Sequence, residues 1–227
     1  MSSYLGICPN CSEKNPLFRS VCKNCGRTLR DRLPGLDFWK LFVLLIEDPN
    51  QAFTQIIQSE QKNFATFMLF ASLFKIYLLT TIISGIFSFA QFSLFNFIMF
   101  SAGSLVGIIL LGFLFKFVFN KKAFEFRIKD FYAGISYSFM PQLIGLFVIF
   151  TMEFIVFGEQ IFTFNPSPFL IKKNFAYLFS ILESGIIFWN IFLLSKMCFI
   201  YTSQKLLSYL FALLFLSLIF CATLFFL

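Results

Sequence analysis

Long runs of apolar residues dominate the chain from residue 64 onwards, and short polar segments separate these runs. A helix needs about 20 mainly apolar residues to cross the hydrocarbon core of a bilayer. Five windows reach this length: 64–87, 95–118, 132–157, 175–195 and 206–227. The pattern therefore predicts an α-helical integral membrane protein, a five-span bundle that occupies residues 64–227 and is embedded in the lipid bilayer.

Residues 34–63 precede the first predicted span and are amphipathic. The stretch "GLDFWKLFVLLIEDP" is too short to cross a bilayer, and Lys40 interrupts its apolar run. Trp39 is a residue type that favours the membrane–water interface. Two interpretations remain open from this pattern: a helix in the head-group region, or a helix packed on the bundle.

The pair Asp48 and Pro49 predicts the start of a second short helix. An aspartate accepts hydrogen bonds from the first free N–H groups of a helix, and proline fits its first position. Apolar residues then recur at helical spacing and predict one apolar face. These residues are Phe53, Ile56, Ile57 and Phe64.

Residues 1–33 are polar and contain four regularly spaced cysteines, Cys8, Cys11, Cys22 and Cys25. Their spacing, C-x2-C-x10-C-x2-C, resembles a short zinc ribbon, because each C-x2-C turn brings two thiolates to one ion. Pro9 and Gly26 suit the two turns, and Gly26 is expected to be left-handed. The pattern predicts one structural zinc ion, with iron as the alternative metal.

Disulfide bonds and a redox dithiol are the other interpretations of these cysteines. Disulfide bonds need an oxidising compartment, and a redox motif needs one reactive pair, not two matched pairs. Four thiolates close the coordination sphere, so such a site holds shape and does not catalyse. The segment has few apolar residues, and we expect it to unfold without its metal.

The distribution of charge predicts the orientation. Of the 227 residues, 59% are hydrophobic and 13% are charged, which is far more apolar than a soluble domain. With a cytoplasmic N-terminus, the inner segments hold fifteen Lys and Arg residues and the outer ones only Lys172 and Lys173. Cytoplasmic segments carry such an excess, which predicts an outer C-terminus. The expected location is a bacterial cytoplasmic membrane, or the endoplasmic reticulum or Golgi of a eukaryote.

The same charges bear on the partner of the ribbon. Residues 1–32 hold six Lys and Arg residues against Glu13 and Asp31. Four thiolates on one zinc ion carry a charge of about −2, which halves this excess. Binding to nucleic acid depends on many basic contacts to phosphate and is therefore not expected. A cytoplasmic protein or the anionic membrane surface is the predicted partner.

Three ionisable residues, Lys75, Glu153 and Glu183, lie in or near predicted spans. Such residues are costly in hydrocarbon and often mark functional sites. One interpretation is a structural Lys75–Glu183 ion pair, and another is a proton or ion path. For Glu153, access to water at the outer end of its helix is the simpler interpretation.

Gly103 and Gly107 form a GxxxG pattern in the second predicted span. Small residues let helix backbones approach closely in lipid. The pattern predicts close packing within the chain, with a contact between two copies of the chain as the alternative.

The order of segments over residues 47–227 resembles the Yip family, the Yip-one-domain proteins that interact with Ypt/Rab GTPases. The matching stretches are "EDPNQAFTQII", "FYAGISYSFMPQLIGL" with Pro141, and "FWNIFLLSKMCFIYTSQKLLSYLF" with Trp189 and Lys205. The resemblance implies five spans and, in eukaryotes, a role in vesicle traffic between endoplasmic reticulum and Golgi. The Asp-Leu-Tyr-Gly-Pro motif of those proteins is absent, so Rab binding is not implied, and the fused zinc ribbon suggests a prokaryotic member.

The chain contains no histidine, which removes the commonest general base, and no span interior has paired aspartates. The sequence thus predicts a non-enzymatic multi-pass membrane protein that presents a zinc ribbon to a partner, in membrane organisation or trafficking. The alternative is a small transporter or channel that uses Glu183, Lys75 and a helix break at Pro141.

Overall fold

The computed structural model describes residues 5–16, 19–29, 36–86, 93–119, 127–162 and 167–226. The ends of the predicted ribbon segment and the last residues of the first and fifth predicted spans lie outside these ranges. Two strands, β1 (Leu5–Ile7) and β2 (Lys14–Pro16), form an antiparallel pair in which Gly6 faces Asn15. The remaining described elements are helical.

The helices are α1 (Phe38–Glu47), α2 (Pro49–Gln58), α3 (Ala65–Ile86), α4 (Leu94–Phe119), α5 (Ile128–Ser138), α6 (Met140–Ile144), α7 (Thr151–Phe157), α8 (Pro168–Ile171), α9 (Lys173–Thr202) and α10 (Lys205–Phe226). A π-helical turn, Gly145–Phe150, joins α6 to α7, and a 3₁₀ turn, Gly158–Phe162, follows α7.

Within the described ranges, five helical segments are long and apolar enough to cross a membrane. They are Ala65–Ser84, Leu94–Phe117, Met140–Phe162, Lys173–Thr202 and Lys205–Thr223. Each of the five predicted windows overlaps one of these segments, so the expectation of a multi-pass helical chain is confirmed. This architecture indicates an integral membrane protein.

The fourth predicted span, 175–195, is shorter than the helix observed. Helix α9 continues to Thr202 and ends where Ser203 adopts a left-handed φ of 56°. Only Ser203 and Gln204 separate α9 from α10, and the hydroxyls of Thr202 and Ser208 are 2.8 Å apart across this turn. The predicted span ended at polar residues such as Lys196. A helix can, however, extend past the hydrocarbon core into the polar region of the membrane.

The third predicted span is not one regular helix. The chain turns at Phe139, between α5 and α6, and Pro141 lies in the first turn of α6. Proline has no N–H to donate to the carbonyl of Tyr137, and its ring clashes with that carbonyl in a regular helix. The break expected from Pro141 is therefore present, and the π-helical turn follows it.

The carbonyl groups at this break accept hydrogen bonds from side chains on neighbouring helices, and that of Phe139 also accepts from the N–H of Gln142 over 2.9 Å. Nδ2 of Asn190 in α9 donates to the carbonyl of Ser138 over 3.2 Å, and Oγ of Ser72 in α3 donates to that of Phe139 over 3.0 Å. An unpaired carbonyl is costly in a hydrocarbon environment. These two hydrogen bonds fix the broken helix between α3 and α9.

Helix α2 packs on the bundle. The side chain of Asp48 accepts from the N–H groups of Asn50 and Gln51, and Pro49 takes the first helical position, as predicted. The predicted apolar face is buried at Phe53, Ile56 and Ile57.

Phe64 does not belong to this face, because its side chain is 56% exposed. It lies beyond the end of α2, and its φ of 63° turns the chain away before α3 begins. The prediction from helical spacing that Phe64 belongs to the apolar face of α2 is therefore wrong.

Helix α1 packs on one side only. Leu41 and Leu45 are buried, whereas Trp39, Val43 and Ile46, at spacings of four and three residues, are exposed. An exposed apolar stripe of this kind is typical of a helix that contacts lipid or another apolar surface.

A polar clamp, which consists of Lys62, Arg127 and Asp130, joins the end of α2 to the start of α5. Asp130 lies 2.9 Å from Nζ of Lys62 and 2.7 Å from Nε of Arg127, and it is buried. Lys62 also donates to the carbonyl of Ile56, and Arg127 donates to that of Ile57 over 3.0 Å. The two cations thereby satisfy the free carbonyls at the negative end of α2.

Candidate metal centre

The two C-x2-C turns of the ribbon have the same backbone hydrogen bond. The N–H of Ser12 donates to the carbonyl of Cys8 over 2.9 Å, and the N–H of Gly26 donates to that of Cys22 over 3.1 Å. Both donors are left-handed, with φ of 56° at Ser12 and 68° at Gly26. The expectation for Gly26 is confirmed, and Ser12 is its structural equivalent in the first turn.

These turns bring the four sulfur atoms together. All four Sγ atoms lie within 4.8 Å of one another, with 3.6 Å between Cys8 and Cys25 and 3.5 Å between Cys11 and Cys22. A tetrahedral site with zinc–sulfur bonds of about 2.3 Å places sulfurs roughly 3.8 Å apart. A disulfide bond requires about 2.0 Å. The spacing therefore fits a shared metal ion, and none of these cysteines forms a disulfide.

Backbone donors prepare two of the sulfurs to be thiolates. The pKa of Cys22 is lowered to about 6, first by the N–H of Cys25 and then by the N–H of Asn24 and the amide of Asn15. The N–H of Arg27 is the main cause that lowers the pKa of Cys25. Because a metal binds the thiolate form, these donors favour metal binding at neutral pH.

Cys11 shows the opposite shift. The N–H of Glu13 acts to lower its pKa, but burial and the other three sulfurs raise it to about 12. Four thiols this close cannot all lose their protons without a cation among them. A divalent metal ion supplies that charge, so the donor set fits a metal.

Asn15 is a residue of the centre that sequence reasoning missed. It is fully buried, and its Nδ2 donates to Sγ of Cys22 over 3.3 Å and to the carbonyl of Glu13 over 2.9 Å. Its Oδ1 accepts from the N–H of Lys23 over 2.8 Å. Asn15 thus joins the two turns. In the sequence, Asn15 is visible only as an asparagine between the two cysteine pairs. Its position does not show whether its side chain is buried or lies at the surface.

The intramembrane residues fall into one group. Nζ of Lys75 in α3 lies 2.5 Å from Oε1 of Glu183 in α9, and both side chains are buried. The predicted ion pair is confirmed. Glu153 is 7% exposed, so simple access to water does not describe its surroundings. The charged side chains that interact electrostatically with Glu153 are Lys75 and Glu183.

Gly107 of the GxxxG pattern does not make the close helix contact expected within the chain. Among the described residues, a Cβ at Gly107 would have no neighbour within 4 Å, and Gly103 and Gly107 line a groove of about 460 Å³ between α4 and α10. The close approach occurs at Gly112, where a Cβ would lie 3.2 Å from the Phe131 ring. A contact between two copies through this groove stays a prediction.

Fold and site together define a multi-pass, membrane-type helical protein with a cysteine cluster that fits a metal ion. No model of a known protein family matches the chain. Searches of curated proteins and of solved structures likewise found no match. The functional argument therefore rests on the geometry of the residues.

Proposed function

We propose that this chain is a non-enzymatic membrane protein that holds a structural zinc ribbon at the cytoplasmic surface of the membrane and offers it to a protein partner. The observation that carries the proposal is the closed cluster of four sulfurs on a small polar segment. A centre with four protein ligands has no open position for a substrate, so its contribution is shape.

Zinc is the metal that this donor set fits best. Two short C-x2-C turns and four thiolates are typical of structural zinc sites. Bound zinc would be held by Cys8, Cys11, Cys22 and Cys25, with Asn15 orienting Cys22 through its amide.

The ribbon surface supports a protein partner. Ile7 and Val21 each precede the first cysteine of a pair, and their side chains are 66% and 46% exposed. The exposed basic residues Lys14 and Lys23 lie near them in the chain. Exposed apolar side chains beside basic ones suit a partner surface that is apolar with acidic residues at its edge.

Two features support a position at the membrane surface. The exposed apolar stripe of α1, residues Trp39, Val43 and Ile46, suits the head-group region. The excess of Lys and Arg on the ribbon side of the predicted topology favours the cytoplasm. The resemblance to the Yip family supports a role in membrane organisation or trafficking.

The test uses the full chain purified from crosslinked membranes. We expect about one zinc per wild-type chain and none in the double variant Cys8→Ser, Cys11→Ser, by elemental analysis. This variant should insert into the membrane but lose its crosslinked partner. Cys198→Ser is the matched control, because Cys198 is buried in α9 away from the cluster.

A second variant separates the metal from the recognition surface. Ile7→Ser with Val21→Ser should keep its zinc and still lose the partner. The proposal is wrong if the partner is retained by both double variants, or if the wild-type chain contains no zinc.

A further inference from the structure

A cavity of about 280 Å³ lies among α3, α7 and α9, at the end of the bundle where α3 finishes and α9 begins. Most of its wall is apolar, including Leu79, Ile82, Phe157, Ile161 and Phe169. Two carboxylates, those of Glu153 and Glu183, also line it. A mainly apolar cavity with a few convergent polar groups is the usual form of a site for a small molecule.

The carboxylates each have an unused oxygen. Glu153 is 7% and Glu183 is 5% exposed, and Oε2 of each is buried without a hydrogen-bond partner in the described part of the chain. Lys75 occupies only Oε1 of Glu183. With both carboxylates ionised, this group carries one net negative charge. A buried acceptor without a donor is costly, so a positively charged donor placed against these two oxygens would be stabilised.

Lys75 is the neighbouring cation, and its described hydrogen bond goes to Oε1 of Glu183 and not to either Oε2 atom. A Cβ at Gly145 would lie 3.2 Å from Cε of Lys75, so glycine makes room for the lysine stem. Nζ of Lys75 also lies 5.6 Å from the centre of the Phe150 ring, at the other end of the π-helical turn. Such turns occur frequently at functional sites.

The chemistry of the walls selects among cations. Calcium and magnesium ions need six or more oxygen ligands, and the lining offers two carboxylates and the hydroxyls of Ser180 and Ser184. A proton or a sodium ion leaves the apolar part of the cavity without an occupant. A small molecule with an ammonium group and a short apolar portion would contact both the carboxylates and the apolar wall.

We infer that this cavity is a binding site for a small amphiphilic amine. Its ammonium group donates to Oε2 of Glu153 and of Glu183, and its apolar body lies against the side chains of α3 and of the segment after α7. The site is independent of the zinc ribbon and goes beyond the proposed recognition function.

The test measures binding of phenethylammonium to the purified, zinc-loaded full chain in lipid nanodiscs at neutral pH, by calorimetry. We expect saturable binding at one site and no binding of neutral 2-phenylethanol, which has a similar shape. Glu153→Gln should weaken binding by at least about tenfold, because a charged hydrogen bond is lost. It leaves the Lys75–Glu183 pair intact.

Glu159→Gln is the matched control, because Glu159 is exposed in the 3₁₀ turn and does not line the cavity. It should bind as wild type does. If Glu153→Gln fails to fold, Ser184→Phe tests the site by filling the cavity without changing its charges, and should also weaken binding.

Three results would overturn the inference: no saturable binding to wild type, equal binding of 2-phenylethanol, or unchanged affinity in a folded Glu153→Gln or Ser184→Phe variant. The double variant Cys8→Ser, Cys11→Ser should still bind the amine. Failure of the ribbon function is thus distinguishable from failure of this site.

Discussion

Ser12 and Gly26 hold equivalent places in the two turns of the ribbon, yet their intrinsic preferences differ. Both have left-handed φ values. For glycine this conformation carries no Cβ penalty, whereas for serine it costs roughly 1 kcal/mol or more. The conformation of the first turn therefore depends on its contacts with the rest of the ribbon, whereas that of the second is favoured by its own residue type.

Substitutions at Ser12 and Gly26 that reverse these preferences should change the zinc affinity in opposite directions. Ser12→Gly removes the penalty in the first turn and should tighten zinc binding about fivefold, whereas Gly26→Ala introduces it and should weaken binding by a similar factor. No atom of the described residues lies within 4 Å of a Cβ at Gly26, so the loss would come from backbone strain. Competition with a chelator measures both affinities.

Equal zinc affinity of Gly26→Ala and wild type would contradict this account.

Ser12 and Gly26 also show how much of the centre could be predicted from the sequence. Cysteine spacing and Gly26 were sufficient to predict the cluster of four cysteines and one turn. Ser12 and Asn15 were not predictable, since their roles follow from the contact between two turns that only the folded ribbon brings together.

At the scale of elements, the polar clamp determines how α2 is attached. Lys62 and Arg127 share the one carboxylate of Asp130. Burial lowers the pKa of Lys62 to about 8, although Asp130 opposes this shift. Between pH 8 and the ordinary value of about 10.5 only the unfolded chain binds this proton, so stability rises with pH through that window.

Asp130→Asn should reduce the free energy of unfolding by roughly 3 kcal/mol, because it leaves two partly buried cations without an anion. The loss should become smaller above about pH 8, where Lys62 is neutral in the folded chain. Unfolding in detergent, followed by circular dichroism at neutral and alkaline pH, measures both effects.

Asp37→Asn provides the control. Asp37 is an exposed N-cap of α1 that accepts from the N–H of Trp39 over 3.0 Å, and asparagine caps helices as well as aspartate does. Its effect should stay within about 0.5 kcal/mol. A loss at Asp130 no larger than this would mean that the clamp does not stabilise α2.

The sequence predicted the ends of elements where a single residue type determines them, and failed where a distant contact does. Asp48 with Pro49 predicted the start of α2, and Pro141 predicted the break before α6. The contact of Lys62 with Asp130 was not predictable, because periodicity identifies a face but not the residue that meets it. The close contact between Lys75 and Gly145, at the start of the π-helical turn, was likewise not predictable.

At the scale of the whole molecule, apolar length predicted five spans but not their arrangement. In the α3 segment 67% of the apolar window is buried within the chain, and in the α4 segment only 22%. Helix α3 is therefore central and α4 peripheral. Their sequences look alike in this respect, because side chains that face lipid and side chains that face a neighbouring helix are both apolar.

The orientation gives a prediction for the whole chain. With an odd number of spans and a cytoplasmic N-terminus, a C-terminal alkaline phosphatase fusion should be active on intact bacterial cells and a C-terminal green fluorescent protein dark. Fusions at Gln204, between α9 and α10, should give the reverse result and serve as the control. Fluorescence from the C-terminal fusion would place the ribbon outside the cell.

The ion pair between α3 and α9 also has a consequence for the order in which the protein is made. Lys75 and Glu183 are 108 residues apart. At a synthesis rate of about 5–20 residues per second, roughly 5–20 s pass between them. During this interval the first span carries a lysine whose carboxylate partner does not yet exist. Maturation of the bundle thus waits for its fourth span, and a nascent chain that stops before Glu183 keeps an unneutralised charge in its earliest helix.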